Sequence, residues 1–94
     1  KYFKSFEDFF VNKWNICIDH AIEYLELENK VIFSYYICGD QKKNCILVTD
    51  KNFRILLKDE LIENKKLGYL TFQVYQNFLV YIKNKNELKV YEIS

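Results

Sequence analysis

The sequence contains no proline, no methionine, two glycines, one alanine, one arginine and one histidine. Each shortage removes a class of function. Gly39 and Gly68 cannot build GxGxxG or GxxxxGK, so the common phosphate-cradling fingerprints are excluded. A single arginine and a net charge of +1 leave no overall electrostatic footprint for DNA or RNA. No run approaches the ~18 apolar residues of a membrane-spanning helix, and no signal-peptide pattern is visible. Without a methionine, the 94 residues are expected to be one small domain of a larger protein.

What is present is core material. Half the residues are hydrophobic, and eight Tyr and eight Phe bring the aromatic share to 18%, which excludes a disordered segment. A chain of this length buries roughly 60–65% of its unfolded surface. Lysine, asparagine, isoleucine and tyrosine are abundant, the amino acids of A/T-rich codons. Their excess reads as genome bias of the kind some protists show, which weakens any reading based on the lysine count. The absence of signal and membrane patterns leads to the expectation of an intracellular protein, cytoplasmic or nuclear.

Residues 1–28 carry a helical pattern. Phe3, Phe6, Phe10, Trp14, Cys17, Ala21 and Leu25 recur every three or four positions. Ser5, Glu7 and Asp8 supply a cap and an acidic first turn. Residues 14–24 also alternate through Trp14, Ile16, Ile18, His20, Ile22 and Tyr24, so a helix ending near Asn12 with strands after it competes. Ala21, Leu25 and Leu27 among glutamates favour the long helix.

Strand propensity follows over Val31–Cys38, Cys45–Thr49 and Phe53–Leu57. Residues 39–44 read as a hairpin loop, and Asp50-Lys51-Asn52 as a tight turn with Asn in the left-handed region. Acids, then lysines, then Gly68 mark a short helix near 59–67. Residues 69–93 form a meander with turns at 76–77 and 84–86. The fold expected is therefore α+β. A long N-terminal helix packs on an antiparallel meander sheet of about six strands.

In that meander, Leu70, Phe72, Val74, Phe78, Val80, Ile82, Leu88 and Val90 form the set assigned to the core. The opposite set offers Tyr75, Leu79, Tyr81, Lys83, Lys89 and Tyr91 as a wet face for a protein partner or the protein's own oligomer. The terminal strand Glu87–Ile93 could also pair in trans. An alternative is a phosphoinositide or single-stranded nucleic-acid binder using Lys42, Lys43 and the same face.

Other chemistry is sparse. Cys38 and Cys45 flank the first hairpin loop, where a disulfide is possible. Both being reduced core residues is the favoured reading, since Cys17 would be left over. A zinc set of Cys17, His20, Cys38 and Cys45 lacks any CxxC knuckle. His20 with Asp19 or Glu23 could act as a general base, but surface or boundary placement explains it as well. No catalytic residue, cofactor or metal is assigned, and a non-enzymatic role is expected.

The segment from Cys45 through Val48-Thr49-Asp50 to Ile55 resembles the strand–turn–strand of pleckstrin-homology and GRAM-type domains over about a dozen residues. The resemblance implies an antiparallel-sheet interaction domain and extends to no binding residue.

Overall fold

A computed structural model of the chain describes residues 2–39, 43–61, 72–84 and 87–93. One helix, α1 (Tyr2–Trp14), is followed by seven strands: β1 (Ile18–Glu26), β2 (Lys30–Ile37), β3 (Lys43–Asp50), β4 (Ile55–Glu60), β5 (Phe72–Tyr75), β6 (Phe78–Asn84) and β7 (Glu87–Glu92). The strands form two antiparallel sheets, ordered β1-β2-β3-β4 and β5-β6-β7. The α+β class and the N-terminal helix are as expected. The single six-strand meander is not, because the chain folds as three layers: helix, four-stranded sheet, three-stranded sheet.

The central strands explain the layering. β2 and β3 carry apolar runs at their centres and are buried on both faces. Val31, Phe33, Tyr35, Cys45 and Leu47 pack under α1 with Phe10, Ile16 and Ile18. Ile32, Ile46 and Val48 point the other way and meet Leu61, Leu79, Tyr81 and Ile93 from the far side. Covering both faces requires two lids, and alternation within one sheet supplies both sets of side chains.

The expected helix over residues 1–28 ends at Trp14. Asn15 takes a left-handed φ of 56°, and its N–H donates to the Val11 carbonyl at 3.0 Å, a left-handed helix cap. Residues 18–26 then pair with β2. A register shift between Asp19 and Ile22 interrupts the regular pairing of this strand. Residues four apart share a face in a strand as in a helix, so Cys17, Ala21 and Leu25 read both ways. Lys58, Asp59 and Glu60 likewise extend β4 rather than opening a helix. Residues 62–67 of that expected helix lie outside the described residues.

Two local expectations are corrected. In the turn after β3, the left-handed position is Phe53 (φ 64°), not Asn52. Asp50 holds it: one carboxylate oxygen accepts from the Asn52 and Arg54 amides, each at 2.9 Å, and the other from Arg54 Nε at 2.9 Å. Those bonds, the Arg54 amide foremost, keep the Asp50 carboxyl below its ordinary range. The Phe53 ring, packed 4.9 Å from Phe9, offsets the backbone strain.

The disulfide joins Cys17 and Cys38. Cys45 is the free, buried cysteine. Burial, then the Glu60 carboxylate, push its thiol up to about 11, so it is an inert core group. Cys17 continues the β1–β2 ladder, accepting from the Cys38 amide at 3.1 Å, which brings the two side chains together. The bond closes a loop spanning 21 positions. Replacing both Cys17 and Cys38 by Ser should cost about 2–3 kcal/mol, or a melting temperature roughly 10–20 °C lower. Thermal melts with and without a reductant would check this, and an unchanged midpoint would show that the strand ladder alone holds these ends.

Candidate protein-contact surface

The three-stranded sheet has one covered and one open face, and its register decides which residues lie where. β5 and β6 are joined by two residues, Gln76 and Asn77, with Gln76 left-handed at φ 53°. This turn pairs Tyr75 with Phe78 and Val74 with Leu79. Even-numbered β5 residues therefore share a face with odd-numbered β6 residues. β6 and β7 pair like with like: Leu79 with Tyr91, Val80 with Val90, Ile82 with Leu88. A face assignment carrying the same parity across the 76–77 turn is inverted at that point.

The inner face is accordingly Phe72, Val74, Leu79, Tyr81 and Tyr91, packed against the four-stranded sheet. The expected contact residues divide between two faces. Leu79 and Tyr81 are buried, Tyr91 is half-buried, and Lys83 and Lys89 lie along the same inner side. Only Tyr75 points outward, at 69% exposure. Phe78, Val80, Ile82, Leu88 and Val90, assigned to the core, stand on the outer face instead.

That outer face is the strongest surface feature of the described residues. Phe78 is 39% exposed, Ile82 41%, Leu88 61% and Val90 58%, with Val80 half-buried between them. Cross-strand pairing makes the patch contiguous: Tyr75, Phe78 and Glu92 form one row, Gln73, Val80 and Val90 the next, Ile82 and Leu88 a third. Scattered surface apolar residues need no explanation, but a continuous patch does. Among its described residues, Glu92 is the one charge.

The cations expected to serve a phosphate ligand are engaged elsewhere. Lys83 meets Asp59 at 2.7 Å, Lys89 meets Glu87 at 3.0 Å, and Lys43 meets Glu60 at 3.4 Å. Lys42 lies outside the described residues. Asp59 is a structural centre between the sheets, accepting from the Tyr81 hydroxyl and the Lys83 ammonium together. Burial, then the bond to Asp59, hold the Tyr81 phenol well above its ordinary range.

A second apolar feature opens beside α1. Ser5, Phe6, Phe9, Tyr24, Phe33 and Phe53 line a cleft of about 300 Å³. Its rings already satisfy one another: Phe6 lies 4.9 Å from Tyr24 and Phe9 4.9 Å from Phe53. A Glu26–Lys51 ion pair of 2.8 Å borders it. We read it as the margin of the helix–sheet core, with edge-on aromatic contacts reaching the surface.

Residues considered for catalysis or metal binding do not assemble. Cys17 and Cys38 share the disulfide, so neither offers a thiolate. His20 lies in β1 at the bulge. Among the described residues, no group of three or more His, Cys, Asp or Glu is placed to hold a metal ion. No described helix is long and apolar enough to cross a membrane. Among the described residues the buried Tyr35 hydroxyl has no nitrogen or oxygen partner, and its cross-strand register neighbour is Cys45. No protein-family model, curated protein or solved structure matches the chain.

Proposed function

We propose that this domain is a non-enzymatic protein-interaction module, and that its partner docks on the outer face of the β5–β7 sheet. The observation that supports the reading is the contiguous patch of Tyr75, Phe78, Val80, Ile82, Leu88 and Val90 left open to solvent. Aromatic and aliphatic side chains with almost no charge match the centre of a protein interface. A sheet that stacks nucleic-acid bases pairs its aromatics with free cations, and the described lysines of this sheet, Lys83 and Lys89, are bound to carboxylates. The β7 edge adjoins the patch and could extend the contact by strand pairing.

A photo-crosslinking amino acid at position 88 tests the reading in an extract of the source cells, with the same group at exposed Lys13 on α1 as control. The expected result is a discrete protease-sensitive adduct from position 88 and none from position 13. An adduct removed by nuclease, or none at all, would overturn the protein-contact reading.

A further inference from the structure

We propose that the partner is a second copy of this chain, the two outer faces stacking into a symmetric sheet-on-sheet dimer; the inference rests on the protein-contact reading above. Three sheet faces of the protomer already have covers. The helix lies on one face of the four-stranded sheet, and the two sheets cover each other. The remaining face is apolar and three strands wide, the form that packs against another sheet at about 10 Å separation.

The area is sufficient. At 69, 39, 41, 61 and 58% exposure, Tyr75, Phe78, Ile82, Leu88 and Val90 together leave about 500 Å² of side-chain surface in water, taking side chains of ordinary size. Two copies stacked remove about 1,000 Å² of this surface. With the polar rim at Gln73, Gln76 and Asn77, the total reaches the ~1,200–2,000 Å² of specific interfaces.

Charge and symmetry agree with this occupant. The protein is near neutral, at +1, so two copies repel little. A two-fold axis running along β6 places β5 of one copy over β7 of the other, row against row. Glu92 shares its row with Tyr75 through Phe78. The axis therefore sets Glu92 opposite the partner's Tyr75, a carboxylate facing a phenol O–H, and by symmetry does so twice. No like charges meet across the described part of the face.

Sedimentation equilibrium of the 94-residue chain from about 1 to 200 µM decides the matter. The wild type should move from one chain mass, 11.5 kDa, to twice that value. Leu88→Lys with Val90→Lys should remain at one mass throughout, a loss of at least 100-fold in association. Both positions are more than half exposed, so far-ultraviolet circular dichroism should be unchanged. A milder pair, Tyr75→Ser with Leu88→Ser, should weaken association at least tenfold and guards against misfolding of the first. A wild type that stays at one mass overturns the dimer. If position 88 still crosslinks to a different protein, the contact reading survives and only this inference fails. A dimer that both variants retain overturns the inference as well, since its interface then lies elsewhere.

Discussion

Phe10→Ala should lower the unfolding free energy by about 3–5 kcal/mol, the largest loss expected from any single truncation in this domain. Phe10 is fully buried at the centre of the helix–sheet layer. Its ring meets Trp14 at 4.8 Å, Phe33 at 5.1 Å and Tyr35 at 5.1 Å, all near edge-on. Truncation removes the transfer free energy of a phenyl ring and leaves a cavity that three rigid rings cannot refill. It also takes the anchor from α1, whose thirteen residues are too few to persist as an isolated helix. Domains of this size are stable by only about 5–15 kcal/mol, so the variant should be partly unfolded near body temperature. Trp14, the only tryptophan, adjoins the cavity and reports the transition in a urea titration. Phe10→Leu keeps most of the volume and should lose about 1–2 kcal/mol. A loss below 1.5 kcal/mol for the alanine variant would mean that α1 does not lean on this residue.

Phe10 was legible in the sequence because Phe3, Phe6, Phe10 and Trp14 repeat at a helical period with nothing to contradict it. The paired strands β2 and β3 were legible for a similar reason: their β-branched and aromatic runs leave no helical phase. What failed was periodicity, at two places. Cys17, Ala21 and Leu25 stand four apart, a spacing that shares one face in a strand as in a helix, and so extended the apparent helix by a dozen residues. The two-residue turn at 76–77 reversed the parity of β5 against β6. Both faces of the last sheet are apolar enough to be a core, so composition could not choose between them. The signal that could have chosen was the turn length, since a two-residue hairpin connection forces Val74 opposite Leu79. The disulfide partner of Cys38 followed from the same slip: with residues 14–28 taken as helix, Cys17 had no strand neighbour.

Asp59→Ala should cost about 2–3 kcal/mol, chiefly by leaving the buried Tyr81 hydroxyl without its acceptor, since the Lys83 ammonium reaches water. Asp59 is the shared acceptor that ties β4 to β6, taking the Tyr81 hydroxyl at 2.5 Å and the Lys83 ammonium at 2.7 Å. Its removal leaves a buried phenol without its acceptor and a partly exposed ammonium without its carboxylate. The pH dependence has a definite sign. Burial alone would raise the Asp59 carboxyl, but the bonds from Lys83 and Tyr81 outweigh it and hold the group below its ordinary 3.8. A carboxylate lowered in the folded state stabilises it above the unfolded pKa, so this contribution fades as pH falls below about 3.8 and is gone once the folded pKa is passed. Tyr81 and Lys83 are shifted up, Tyr81 chiefly by burial and Lys83 chiefly by its bond to Asp59. Their contributions are full at lower pH and fade only above about 10. The cluster therefore works from about pH 4 to 10. Asp59→Asn keeps the shape, so its stability loss should be largest in that window and should shrink toward pH 2. Part of the wild type's acid lability remains in the variant, since the Asp50 and Glu26 carboxyls are also lowered. Urea midpoints at pH 2.5, 7 and 9 separate the cases. If wild type and Asp59→Asn differ by the same amount at pH 2.5 and pH 7, the charge on Asp59 does not join the sheets, and its role reduces to shape.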